Sequence, residues 1–209
     1  MNKKKILLIL IIIAYLLIKG IAYAYKETKR KEKNLTGDNY RFAKEYKMTD
    51  KNGKIISNVF TYRSMNQIIR ILENGTGIIY LGFPECPWCQ QYVYYLNEVA
   101  KSKGLEKIYY KNILNDRKNN TSEYQKIVSI LNDYLQYDEE GNKRIYVPAV
   151  IAVKDGKIVG FDDETAFDTK GYKTPADYWK NEDLKALKEK LGNMIDAIDK
   201  NICTSNCNK

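Results

Sequence analysis

Two thiols three residues apart, Cys86 and Cys89, are the side chains of this 209-residue chain whose type and spacing point to chemistry. They sit in Cys86-Pro87-Trp88-Cys89, where the apolar run Gly77 to Phe83 meets a helical pattern that continues through Tyr92, Val93, Leu96, Val99 and Ala100. That order predicts a strand, a tight turn and the first turn of a helix, with both thiols at the junction. A cysteine at such a helix start faces unpaired backbone N–H groups and the positive helix end, which stabilise its thiolate and lower its pKa. The second cysteine, about one turn on, lies on the same helix face and can close a disulfide with the first. Pro87 suits the first helical position, where its missing N–H would have no partner anyway.

A zinc knuckle would need a second ligand pair. The chain has no histidine, and its other cysteines, Cys203 and Cys207, stand near its end with three residues between them. Redox chemistry is therefore the expectation at Cys86 and Cys89, with no metal and no cofactor.

The stretch resembles the active site of the thioredoxin superfamily. Its Cys-Pro-aromatic-Cys form is most similar to glutaredoxins, to disulfide-introducing periplasmic oxidases and to the thioredoxin-like bacteriocin transport accessory proteins. The resemblance implies an α/β thioredoxin-like fold, a central mixed sheet flanked by helices. It also implies that Cys86 is the catalytic nucleophile that forms the mixed disulfide and that Cys89 is the resolving thiol. Val147-Pro148 falls where such proteins carry a cis proline opposite the cysteines, so substrate binding is expected at Val147, Pro148 and Trp88, with Phe83 beside Trp88 on an apolar rim.

Two positions depart from that pattern. Many relatives have a buried acidic residue six positions before the first cysteine, and here that residue is Tyr80. No histidine separates the two cysteines either, so the direction of electron flow stays open. Glu85, next to Cys86, opposes the helix end if it is close.

Length and a 44% hydrophobic content allow one core with extensions. The 18 tyrosines read as compositional drift and not as a binding signal. The net charge of +9 is concentrated at the start, in Lys3, Lys4, Lys5 and Lys19 and in the segment KETKRKEK at 26–33. The remainder is close to neutral, which argues against a nucleic-acid partner.

Residues 1–25 combine a basic start, a thirteen-residue apolar run from Ile6 to Ile18 and the small triplet Ala22-Tyr23-Ala24. They read either as a cleaved signal peptide or as a retained membrane anchor, since Ile6 to Tyr25 is about as long as a crossing of ~20 residues. The basic segment after it suits an anionic lipid surface. Counting charges alone would put the rest of the chain in the cytoplasm, whereas the signal layout and the even number of cysteines favour the outside. The expected location is the cell membrane with the domain outside the cytoplasm, or secretion if cleavage follows Ala24.

Residues 26–53 are expected to be a basic spacer with one hairpin at Asp50-Lys51-Asn52-Gly53, and the domain to occupy 54–202. Its elements read as a strand over 55–62, a helix that Ser64 and Gln67 start as a capping box, the strand and helix around the cysteines, and a strand over 107–113. A helix over 122–137, strands over 146–153 and 157–161 joined at Asp155-Gly156, and a helix over 181–200 follow. Residues 162–180 read as an insertion, and 203–209 as a tail whose Cys203 and Cys207 form a structural disulfide, with a redox relay as the sharper alternative. The string βαβαβαββα agrees with the family resemblance.

The functional expectation is a membrane-tethered, extracytoplasmic thiol–disulfide oxidoreductase. Its partners would be cysteine-containing exported proteins or peptides and a redox protein that regenerates the site. The rival is a non-catalytic accessory or chaperone-like module for peptide export whose cysteines stay bridged.

Overall fold

The computed structural model of the chain describes residues 13–23, 25, 37–163, 171–181 and 184–198. Strand β2 (Gly77–Gly82) is buried along its whole length, as an unbroken apolar run must be when both faces of a sheet are covered. It pairs in parallel with β3 (Ile108–Asn112), which pairs in parallel with β1 (Phe60–Tyr62). On its other side β2 runs antiparallel to β6 (Ala149–Lys154), and β6 runs antiparallel to β7 (Lys157–Asp162), so the order is β1-β3-β2-β6-β7.

Helix α2 (Met65–Asn74) connects β1 to β2, and α3 (Pro87–Ser102) connects β2 to β3. The two crossovers step across the sheet in opposite directions, so right-handed connections put the helices on opposite faces. α3 packs with α7 (Leu184–Ala197), and α2 with α5 (Ser122–Ile130). The chain is therefore an α/β protein whose mixed central sheet is flanked by helices. Ser64 caps α2 as expected: its Oγ accepts from Gln67 N–H at 3.3 Å while the Gln67 side chain accepts from Ser64 N–H at 2.9 Å.

The β6–β7 turn also matches the sequence. Gly156 adopts φ +71, donates its N–H to Gly75 O at 2.8 Å, and lies so near the end of α2 that a Cβ there would be 2.1 Å from Glu73 O.

The expected domain start at Lys54 is corrected to about Asp38. α1 (Asp38–Glu45) places Phe42 and Ala43 in the core, and Tyr46 at its C-cap and Met48 follow them. The Phe42 ring stacks on Phe60 with centroids 3.9 Å apart and on Tyr46 at 4.3 Å. Residues 38–48 are thus an integral layer, and the hydrophobic effect, not chain order, sets the boundary. The turn at Asp50–Gly53 is present, closed by Asp50 N–H to Lys54 O at 2.8 Å, with Thr49 and Ile55 bridged antiparallel.

α1 is tied to β1 through polar side chains. Asn39 Nδ2 donates to Asn58 O at 2.6 Å and to Phe60 O at 3.2 Å, Asn58 Nδ2 donates to Asn39 O at 2.8 Å, and Asp38 accepts from Tyr62 N–H at 2.9 Å.

Several element bounds also differ from the sequence reading. The strand expected over 55–62 is regular only at Phe60–Tyr62, because Ile55 is spent on the bridge to Thr49. The helix expected over 122–137 ends at Ile130, and a 3-10 turn at Asn132–Tyr134 leads into a hairpin of β4 (Gln136–Tyr137) and β5 (Lys143–Arg144). Asp138 Oδ1 stabilises that hairpin by accepting from Glu140 N–H at 3.1 Å and Asn142 N–H at 2.8 Å. A short α4 (Leu114–Lys118) and, within the insertion, α6 (Pro175–Asn181) were not legible.

Residues 13–23 are helical with exposed apolar side chains, such as Leu16 and Ile18. Among the described residues no helix is long and apolar enough to cross a membrane. Residues 1–12 and 24 of the expected export or anchor segment, the basic run 26–33, and Cys203 and Cys207 lie outside the described residues.

Candidate active site

Cys86 is the N-cap of α3 and Pro87 begins the helix. Its extended backbone (φ −82, ψ 116) turns Sγ back over the first helical turn, where it accepts from Cys89 N–H at 3.2 Å. That satisfies one of the orphan donors every helix start carries. From across the sheet, the Val147 carbonyl accepts from the Cys86 thiol at 3.9 Å, and the Val147–Pro148 peptide is cis. Cys86 keeps 9% of its surface exposed whereas Cys89 has none, and both are free thiols.

Those surroundings drive the two thiols apart. A hydrogen bond from the Cys89 thiol does most to lower the Cys86 pKa; burial opposes it, the N–H groups of Cys89 and Trp88 and the Arg117 guanidinium assist, and the result is about 7. Burial pushes Cys89 well above the ordinary thiol range, and its neighbour Cys86 adds to the effect. One thiol is set to be a thiolate near neutrality and the other to keep its proton, a division of labour that pairs of titratable groups show at reacting centres.

Arg117, on α4, gave no signal in the sequence. Its half-buried guanidinium covers the Phe83 ring, 4.9 Å from the centroid, and donates to Ile145 O at 3.4 Å. Phe83 is consequently buried and not on an open rim. Beyond Arg117 opens a cleft of about 710 Å³ lined in part by Tyr124, Lys143 and Arg144; neither cysteine lines it.

Trp88 is half-buried and meets Tyr178 of α6 edge to face at 5.2 Å. Tyr178 in turn packs on Trp179, and Trp179 on Tyr95 of α3. Part of the insertion therefore lies against the helix that carries the thiols. The aromatic residues Tyr172, Tyr178 and Trp179 are the signal in the sequence that could have shown this. Among the sequence-derived candidates, Cys86 meets both Cys89 and the Val147 carbonyl, Pro148 follows Val147 through the cis peptide, and Trp88 lies between the cysteines in the first helical turn.

Tyr80, six positions before Cys86, is fully buried. Its hydroxyl lies within reach of the Cys89 thiol and of the Tyr46 hydroxyl, but makes no hydrogen bond of normal geometry. Tyr46 and Tyr110 share a hydroxyl–hydroxyl bond of 3.2 Å. Among the described residues no group of three or more Cys, Asp or Glu side chains is arranged to hold a metal ion.

Comparison with protein-family models, with curated proteins and with solved structures finds no match for this chain.

Proposed function

We propose that the chain is a thiol–disulfide oxidoreductase of the thioredoxin-like class, exchanging disulfides with cysteine-containing proteins or peptides outside the cytoplasm. The observation that carries this reading is the asymmetry of the pair. Cys86 is partly exposed at a helix start with its thiolate favoured near neutrality, and Cys89 is buried directly behind it with its proton retained. The sheet order and the approach of Val147 to Cys86 are compatible with the same class.

In the reducing direction, the Cys86 thiolate attacks one sulfur of a substrate disulfide. A Cys86–substrate disulfide forms and the other substrate sulfur leaves with the electron pair. Cys89 then loses its proton and attacks Cys86 Sγ, the intramolecular disulfide forms, and the substrate sulfur departs and is protonated. The substrate is reduced by two electrons and the cysteine pair is oxidised by two. The oxidising direction is the same sequence reversed, and a separate dithiol or disulfide protein restores the pair. In this reading an extended substrate meets the Val147 backbone, whose carbonyl accepts from the Cys86 thiol, and Trp88, two residues after Cys86.

The sequence of residues 1–25 supports attachment to, or export across, a membrane. Cys203 and Cys207 are proposed to pair structurally in that oxidising setting.

Trapping tests this directly. Cys89→Ser is expected to accumulate mixed disulfides with substrate and Cys86→Ser to form none. Equal behaviour of the two variants would overturn the assignment.

A further inference from the structure

The cleft beyond Arg117 holds more positive charge than its own acids balance. Arg117, Lys118, Lys143 and Arg144 line it against Asp138 and Glu140. Asp138 is spent on the hairpin backbone, accepting from the N–H groups of Glu140 and Asn142, and Glu140 is exposed in the turn. Lys143 is occupied too, lying over the Tyr137 ring and donating to Leu135 O at 2.6 Å. Among the described residues no carboxylate forms an ion pair with Arg117, Lys118 or Arg144.

The two guanidiniums set this cleft apart from an ordinary solvated basic face. Both are half-buried, and they lie close enough for Arg144 to act on Arg117 as a like charge. Arg117 spends one N–H of its donor fork on Ile145 O at 3.4 Å, and Arg144 Nε is fully buried with no hydrogen-bond partner. Holding one half-buried cation beside another is unfavourable until an anion joins them. A carboxylate is the anion a peptide offers, and its two oxygens match the planar fork of an arginine.

The cleft is also within a peptide's reach of the reactive sulfur. Arg144 ends β5, Arg117 is bonded to Ile145, and Val147, whose carbonyl meets Cys86, follows after one more residue. The three steps from Arg144 to Val147 span at most roughly 11 Å, a distance that an extended substrate also covers in about three residues.

We propose that this cleft is a substrate subsite, in which Arg117 and Arg144 hold an acidic side chain of a peptide whose cysteine, about three residues away, exchanges with Cys86. The proposal rests on the thiol–disulfide exchange reading given above and adds to it a preference for acidic sequence beside the substrate cysteine. Arg117 also helps to hold the Cys86 thiolate, so the test falls on Arg144 and Lys118.

The test uses the reduced full chain, carrying Cys203→Ser and Cys207→Ser throughout, and two synthetic peptides. Each has one cysteine, activated as its 2-pyridyl disulfide, and either Glu or Gln at the third residue on both sides. The Cys86 thiolate attacks the peptide sulfur, the Cys86–peptide disulfide forms, and pyridine-2-thione leaves with the electron pair and is read by its absorbance. The leaving group carries no carboxylate of its own. At low ionic strength the Glu peptide is expected to react at least about fivefold faster than the Gln peptide, and added salt should shrink the difference.

Arg144→Gln is expected to bring the two rates within about twofold of each other, and Lys118→Gln, at an exposed position of the same cleft, to lower their ratio by about twofold. Lys157→Gln removes the same charge at the exposed β6–β7 turn and should keep the full preference. Each variant is read as a ratio of two peptides, so a change in the thiol itself cancels. Should Arg144→Gln fail to fold, Lys118→Gln carries the test. Equal rates for the two peptides with the parent, a preference untouched by both cleft variants, or one lost equally in Lys157→Gln would overturn the subsite. A parent that releases no more pyridine-2-thione than Cys86→Ser from either peptide would instead overturn the exchange reading itself.

Discussion

The N–H of Cys89 donates to the Sγ of Cys86 at 3.2 Å, so in the proposed exchange reaction the resolving residue also supports the attacking thiolate. Backbone contact of this kind is fixed by the helix and does not depend on a rotamer, and it adds to the hydrogen bond from the Cys89 thiol, which does most to lower the Cys86 pKa.

The alkylation rate of Cys86 is expected to rise with pH and reach half its maximum at about 7, below the ~8.5 of a free thiol. The same titration should break the pH dependence of the reduction potential. Below the break two protons accompany two electrons, and above it one proton does, so the slope falls from about 59 to about 30 mV per pH unit. A single slope across the neutral range would contradict the assignment.

Truncation separates the chain before Gly37 from the layer after it. Deleting residues 1–36 should leave a folded domain with an unchanged Cys86 titration, whereas deleting 1–53 removes Phe42, Tyr46 and Met48 from the core and should abolish cooperative unfolding. Phe42→Ala in the full chain should cost about 3–5 kcal/mol in a denaturant titration, since its fully buried ring leaves a cavity.

Asp163 is held up to about 6, by burial first and by the neighbouring Asp162 second. A carboxyl with a raised folded pKa favours the folded state at low pH, and this contribution is lost as pH rises from the unfolded value of ~3.9 through about 6. Asp163→Asn is therefore expected to raise stability at pH 7 to 8, and the advantage should vanish near pH 4. Melting curves at the two ends of that range check it.

Gly156→Ala should be among the most damaging single-methyl changes in the domain. The new Cβ would meet Glu73 O and the backbone would be held at φ +71, which alone costs about 1–3 kcal/mol. The loss should appear as a lower melting temperature with the Cys86 alkylation profile retained in the remaining folded fraction.

The cysteine turn was legible because several local signals agree there: an apolar strand, a proline suited to a first helical turn, and apolar residues at helical spacing after it. α1 was not, because its DNYRFAKE sequence is mostly polar and offers only Phe42 and Ala43 to the interior. Its burial depends on Phe60, Tyr80 and Tyr110, rings that the fold brings to it from β1, β2 and β3. Reading the tyrosines as drift hid that layer, since a tyrosine's apolar body and polar tip give no periodic signature of their own. Arg117 was illegible for a different reason: its charge acts on Cys86 through space, from a place over the Phe83 ring that lies far from it in the sequence.

The clasp between α1 and β1 bears on how the protein behaves when it is damaged. In β1 the groups of Val59 and Arg63 face β3, while Asn58 O, Phe60 O and Tyr62 N–H face outward and are taken up by Asn39 and Asp38. The outer margin of the sheet is thus closed by side chains and not by another strand. Edge strands that lose such cover become templates for a neighbouring chain. Loss of α1, by proteolysis or by substitution of Asn39, would leave β1 open to recruit copies of the same strand, so aggregation should begin there before the cysteine turn is disturbed.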